Sequence, residues 1–307
     1  MKNLTLCGVA ALLAIGTLAA PAQPRNGRNY NLNISMDNAE RCSDLKVRSN
    51  SGEIAQVNES VTLGAGQASG IELDDTAGRA VVQVRAWDRA DYAVETCKVA
   101  VADTKAAAEQ LVAGISVSRS AGRLTTAGPP SDNGNWQVYF LIHAPKNGNV
   151  DLATKNGPIS VAGVGGNVKV RAINGPVSLT DCAGRIDAQT TNGPISFRGN
   201  SGDVHLIAKN GPISLDLAGD VWTGNQLDAH TDNGPVSLTI AETYRSAIRL
   251  QTSGNAPLSC RIDACRNALT DAQSENRLLR INGAADTIRV STTNGPVSIN
   301  GPRKKLI

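Results

Sequence analysis

Aromatic side chains are scarce in this chain: three Trp, four Tyr and two Phe among 307 residues. A compact globule of this length fills its centre with more of them. The scarcity excludes a wide core and favours a thin one packed by Val, Ile, Leu and Ala. Net charge is missing too. Lys and Arg total 30 against 27 acids, a balance of +3, which excludes nucleic acid as a partner steered by a basic field. Beyond residue 20 no apolar run approaches the roughly 20 residues a bilayer span needs. The signatures of common chemistry are absent as well: no Gly-x-Ser-x-Gly, no His-Glu-x-x-His, no Gly-x4-Gly-Lys-Ser/Thr. Gly64 to Gly70 is glycine-rich, has one residue too many for a dinucleotide loop and reads as a plain turn. The cysteines lack zinc spacing, and no Gly-Gly-x-Gly-x-Asp calcium repeat occurs. No catalytic, cofactor-binding or metal-binding residue is therefore assigned.

What the chain does have is one pentapeptide in six copies. They are Asn156-Gly-Pro-Ile-Ser160, Asn174-Gly-Pro-Val-Ser178, Asn192-Gly-Pro-Ile-Ser196, Asn210-Gly-Pro-Ile-Ser214, Asn233-Gly-Pro-Val-Ser237 and Asn294-Gly-Pro-Val-Ser298. The asparagines at 156, 174, 192 and 210 give a period of 18 residues. Fixed spacing of this kind marks an architecture in which each copy is one structural turn.

Within a repeat, Val150, Leu152 and Thr154 share one phase and Asp151, Ala153 and Lys155 the other. Period-two alternation predicts a strand with one buried face. A second short strand follows the bend, with Ile159 and Val161, then Val177 and Leu179, then Ile195 and Phe197 inward. Counting by two from Val150 puts Asn156 on the inward phase, where repeated amides stack into a hydrogen-bonded ladder. A lone repeat buries about five aliphatic side chains at about 2 kcal/mol each. Ordering its backbone costs roughly 1–2 kcal/mol per residue, so it is stable only when stacked. The expected fold class is all-β: a single-stranded β-solenoid, or β-helix, with ~18-residue turns, after a less regular N-terminal β-rich section carrying one short helix.

The expected organisation runs from a signal peptide (1–22) through an N-terminal segment (23–70), a β-rich section (71–147) and the repeats (148–300) to a basic tail (301–307). Lys2, the apolar run Val9 to Ala20 and the Ala20-Pro21-Ala22 cleavage site make the signal peptide. The mature chain is then expected to be exported, without a transmembrane segment, to the periplasm, the outer surface or beyond. Export permits disulfides among Cys42, Cys97, Cys182, Cys260 and Cys265. Cys260 and Cys265 can close a small loop, Cys42 and Cys97 a long one, and Cys182 would then be an inert odd residue; the pairing stays open. Thr104 to Val112 reads as a helix capped by Asp103 or Thr104. Gly78 to Val94, Ile115 to Arg119 and Trp136 to Ile142 read as strands. Later the repeat loosens, with an insertion around Asp220 to Gly224. A degenerate turn at Gly254 to Ser259 follows, then a loop or short helix over Asp271 to Arg277, before Ile288 to Ile299 returns to the full motif.

The Val82-x-Val-x-Ala-Trp-Asp-Arg89 segment, the helix after it and the Asn-Gly turns following Ala144-Pro145 resemble the DUF4097-type bacterial "putative adhesin" family of repeated β-strands. The resemblance covers most of residues 70 to 300. It implies an exported β-solenoid and brings no catalytic residues.

Two surfaces follow from the alternation. Ser160, Ser178, Ser196, Ser214, Ser237 and Ser298 are expected to point outward as a hydroxyl-lined strip. Asp187, His205 and Asp228 are expected to share an outward row, the acids roughly 10 Å apart at the strand spacing. His205 and His230 are placed near one another, and His143 at a strand end. The function expected is that of an exported, non-enzymatic solenoid: an adhesin or a cell-envelope scaffold that binds a protein or glycan. End-to-end self-association is a further expectation. The alternative is a glycan-active enzyme working through Asp187, His205 and Asp228.

Overall fold

The computed structural model describes residues 30–302 apart from 36–38, 65, 76, 133, 254–255, 268, 272–275 and 284. The expected signal peptide (1–22) and the basic residues of the expected tail lie outside the described residues. The fold is a β-solenoid. Two sheets face each other, of 12 and 11 strands among the described residues, and each coil contributes one strand to each sheet.

The coils are numbered by their place in the stack. Level 1 is Arg123–Ala127 with Gly134–Pro145, and level 2 is Ile71–Asp74 with Ala80–Trp87. Levels 3 to 6 are Val150–Thr154 with Ile159–Ala162, Asn167–Ala172 with Val177–Thr180, Arg185–Thr190 with Ile195–Gly199, and Asp203–Ala208 with Ile213–Leu217. Level 7 is Gln226–Asn233 with Val236–Thr239. All these neighbours pair in parallel and in register, for example Val150 with Val168 and Ile195 with Ile213. Between the sheets lie Leu152, Val161, Val170, Leu179, Ala188, Ile195, Leu206 and Ile213, each fully buried. One such aliphatic per strand position contributes about 2 kcal/mol.

Stack order departs from chain order at both ends. Level 8 is Ile288–Asn294 with Val297–Asn300, and level 9 is Ile248–Ser253 with Leu258–Cys260. The chain thus leaves level 7, skips a level, builds level 9 and returns to fill the gap with the sixth motif. The turn that comes last in sequence is therefore not last in space. Likewise residues 71–87 lie between level 1 and level 3, although 123–145 follow them in sequence. Residues expected to form a loop or helix over 271–277 instead end and begin two strands, Leu269–Asp271 and Asn276–Ile281. These pair antiparallel with each other, and Asn276–Ile281 also pairs antiparallel with the first strand of level 9. Apolar alternation at Leu279 and Ile281, both buried, holds them on the sheet. The residues between them, 272–275, lie outside the described set.

The opposite end is also closed by antiparallel strands: Ser116–Ser120 beside level 1 of the first sheet, and Tyr92–Ala102 then Glu53–Leu63 in the second. Antiparallel caps break the repeating register, so a further parallel coil finds no template there. The helix Lys105–Ala113 carries an N-cap from Thr104, whose hydroxyl accepts from the Ala107 N–H at 3.2 Å. A small hairpin sheet, Leu32–Ser35 with Lys46–Ser49, covers the outside of the second sheet at levels 1 and 2. The Cys42–Cys97 disulfide fastens it; closing 55 residues stabilises the fold by about 4 kcal/mol in the chain-entropy picture.

The bend fixes the register. Strand geometry ends at the threonine or alanine before it, the last inward residue. The Thr154 hydroxyl donates to the Gly157 carbonyl at 2.9 Å. Asn156 therefore falls outside the alternation and is exposed, as are Asn174, Asn192 and Asn210, contrary to the inward placement that counting by two gives. The ladder itself is present. Each asparagine Nδ2 donates to the Oδ1 of the asparagine one level below: 174 to 156 at 2.9 Å, 192 to 174 at 2.8 Å, 210 to 192 at 3.0 Å, then 233 to 210 and 294 to 233 at 2.9 Å each.

The glycine is required by close approach and not by an unusual dihedral, since none of the motif glycines has positive φ. A Cβ on Gly175 would lie 2.3 Å from the Gly157 carbonyl oxygen, and one on Gly193 would lie 2.2 Å from that of Gly175. Proline exposes its ring and turns its carbonyl to the coil below: the Ile159 N–H donates to Pro176 O at 3.0 Å and the Val177 N–H to Pro194 O at 2.9 Å.

Gly193→Ala is therefore expected to push two levels apart and to lower stability by about 1–3 kcal/mol, the usual cost of overpacking. Urea denaturation checks this, with Ser196→Ala, on the outward face of the same coil, staying within about 0.5 kcal/mol of the parent.

Candidate functional site

The bend motif builds a regular outer face on the second sheet. Ser160, Ser178, Ser196, Ser214, Ser237 and Ser298 pair in consecutive register, and Ser259 of level 9 joins them beside Ser298. The column runs from level 3 to level 9 at about 4.8 Å per step. Alongside it stand the exposed prolines 158, 176, 194, 212, 235, 296 and 257, and then the asparagine ladder. The hydroxyls of Ser160, Ser178, Ser196 and Ser214 have no hydrogen-bond partner among the described residues. Towards level 8 the Asn300 amide reaches Ser237 and Ser298 at 3.4 Å. The next outward column is mixed, with Ala162, Thr180, an Arg198–Asp216 ion pair at 3.7 Å and Thr239. At level 2 the corresponding residue is Gln83, whose amide donates to Ala39 O at 2.8 Å; the hairpin ends the face there.

On the first sheet, Asp187, His205 and Asp228 do share one outward row on adjacent strands. Two strand steps separate the acids, roughly 10 Å, beyond the ~5–5.5 Å of a retaining pair and at the wide limit of the ~6.5–9.5 Å of an inverting one. Both carboxylates are also engaged. Asp228 accepts from Arg289 Nη2 at 3.0 Å, and Asp187 accepts from the Gln189 amide at 3.1 Å.

His230 does not meet His205. It is offset by two residues along its strand, opposite Ile207. Its Nδ1 lies 2.8 Å from Ser291 Oγ and its Nε2 3.1 Å from Asp232 Oδ1. The three side chains have the connectivity of a nucleophile, base and orienting acid. Ser291, however, sits on an interior strand with ladder partners on both sides, which leaves no backbone N–H to stabilise an oxyanion. The arrangement is a brace between levels 7 and 8. His143 stacks on Trp87, ring centroids 5.1 Å apart, and the Arg89 guanidinium covers that indole at 4.5 Å.

A second surface lies on the first sheet, where the strands end at the bend. A groove of about 480 Å³ runs from Asp74 at level 2 to Ile207 and Lys209 at level 6. Its floor is apolar because Ile173 and Ile207 occupy outward positions. A sequence signal for it exists, namely aliphatic residues on the polar phase of an otherwise regular repeat.

Cys182 is the one free cysteine among the described residues, and it is buried. Burial pushes its thiol up from the ordinary value, against hydrogen bonds to nearby backbone groups that pull it down. Cys260 and Cys265 are joined. Among the described residues no group of three or more His, Cys, Asp or Glu converges, and no helix is long and apolar enough to cross a membrane.

No family model matches the chain, and no curated protein matches it. Solved structures similar to it include a "putative adhesin" from Bacteroides fragilis NCTC 9343, with 10% identity, 81% of this chain and 97% of that one covered, and a TM-score of 0.41. A "putative adhesin" from Parabacteroides merdae ATCC 43184 has 10% identity, coverage of 81% and 97%, and a TM-score of 0.35. A "putative cell adhesion protein" from Clostridium sporogenes ATCC 15579 has 9% identity, coverage of 81% and 100%, and a TM-score of 0.33. Similarity at this level assigns neither family nor activity.

The Cys182 thiol is expected to resist a water-soluble thiol reagent at pH 8 in the native state and to react stoichiometrically in denaturant. Rapid native labelling would contradict the burial described.

Proposed function

We propose that this chain is an exported, non-enzymatic β-solenoid of the DUF4097-type "putative adhesin" kind. It acts as an adhesion or cell-envelope binding module and holds a protein or glycan along its asparagine–proline–serine face. The observation that carries the reading is the serine column in unbroken register from level 3 to level 9. Each hydroxyl offers one donor and two acceptor lone pairs, repeated at about 4.8 Å. An extended ligand with its own repeated polar groups meets one hydroxyl at each step. The individual contacts are weak, and their linkage on one rigid face raises the total affinity. Low charge along the column suits a neutral ligand. The glycan-cleaving alternative gains nothing from the geometry, because Asp228 is held by Arg289 and the acids are widely spaced.

The double variant Ser196→Arg/Ser214→Arg places two long cations in the middle of the face without touching the core. It is expected to retain the parent's circular dichroism and melting temperature. Binding on an array of envelope and host glycans, and in pull-downs of envelope proteins, should fall at least tenfold. Equal binding by parent and variant would remove the serine face from the account.

A further inference from the structure

The groove on the first sheet differs in character from the serine face. Its volume of about 480 Å³ falls within the roughly 300–1,000 Å³ typical of small-molecule sites. From Asp74 to Lys209 it spans four level steps, roughly 19 Å along the solenoid axis. Two departures from the repeat make its floor. The outward position after each inward threonine or alanine is Lys155, Thr191, Lys209, Asp232 or Thr293 at other levels, but Ile173 at level 4. Ile173 is 46% exposed, and with Val57 it is one of the two exposed large hydrophobics among the described residues. In the adjacent row Ile207 stands among Arg171, Gln189 and His230, while Ala153 extends the apolar strip towards level 2.

Charge gives the groove a direction. Asp74 stands at the level 2 end, and Lys155, which has a partner of its own, lines the wall one level further on. Asp75, beside Asp74, is buried and spent on the Thr126 hydroxyl at 2.6 Å and the N–H groups of Ala80 and Gly78 at 2.9 and 3.0 Å. Lys209 stands at the level 6 end and makes no ion pair among the described residues. Between them Arg171 holds Asp151 with one nitrogen at 2.7 Å, and its fork has further donors.

We propose that this groove binds a single-chain anionic amphiphile, an alkyl chain ending in a carboxylate or phosphate. The anion lies at the Lys209 end and the chain runs over Ile207 and Ile173 towards Ala153. A bare inorganic anion would leave both isoleucines wet. A peptide strand would set polar backbone groups against an apolar floor that cannot pair them. An alkyl chain covers the floor without that cost, and its charged end meets the unpaired ammonium.

Calorimetric titration of the full chain tests this, with dodecyl phosphate below its micellar concentration and with inorganic phosphate and dodecyl maltoside as controls. Saturable one-to-one binding of dodecyl phosphate is expected, at least tenfold tighter than either control. Ile173→Glu and Lys209→Glu should each weaken it at least tenfold with an unchanged melting temperature, while Ser196→Arg/Ser214→Arg leaves it intact. The proposal is overturned if the folded chain shows no saturable uptake, or if Ile173→Glu binds as the parent does. It is also overturned if dodecyl maltoside binds equally well, or if uptake is accompanied by loss of the β-sheet circular dichroism signal.

Discussion

Everything regular about this protein depends on the contact between successive bends. The carbonyl of one motif glycine occupies the space where the next glycine would carry a Cβ, so neighbouring coils meet backbone to backbone. The asparagine amides above and below hydrogen-bond only when that contact is in register. The proline carbonyl accepts from the preceding coil at the same point. A slip of one residue would break all three interactions and would turn the buried Val, Ile and Leu columns to solvent. The bend sets the register, and the register sets the faces.

This constraint also explains how the solenoid tolerates a chain that does not run in stack order. The sixth motif enters between level 7 and level 9 because Asn294 and Gly295 fit against Asn233 and Gly234 as any neighbouring copy would. Sequence separation is irrelevant to a slot defined by shape. The His230–Ser291 contact adds a side-chain tie across the same joint. At the other end, level 2 lacks the motif and builds its bend differently. Buried Asp75 accepts from Gly78, Ala80 and Thr126, and Asn156 closes the junction by donating to Gly78 O at 3.2 Å.

The solenoid, its two strands per turn, the amide ladder and the outward serines were legible because the motif repeats and alternation has one period. The asparagine's orientation was not, since alternation stops where the strand does, at Thr154. Stack order was not legible either: nothing local distinguishes the sixth copy from a terminal one. The coils at 71–87 and 123–145 escaped because Asp75 replaces the pentapeptide in one and, in the other, a turn at Gly128 and Pro129 against Trp136, whose indole N–H donates to Pro129 O at 2.9 Å. The surfaces followed the same division. Ser160 to Ser298 belong to the motif and were read directly. The groove arises from Ile173 and Ile207, exceptions that acquire meaning only when adjacent coils are superimposed.

Two faces of different character thus share one scaffold, polar and periodic on the second sheet, with an apolar floor on the first. Both require the coils to stack in the order described. Paired cysteines test that order most directly, because a disulfide needs Cα atoms within about 4.4–6.8 Å, one level step and no more. The account predicts that Ser237→Cys/Ser298→Cys and Ser259→Cys/Ser298→Cys each cross-link on mild oxidation, whereas Ser237→Cys/Ser259→Cys does not. Cross-linking of the 237–259 pair in place of the 237–298 pair would mean that the coils follow chain order, and would contradict the account; the 259–298 pair is adjacent in either order and serves as the positive control.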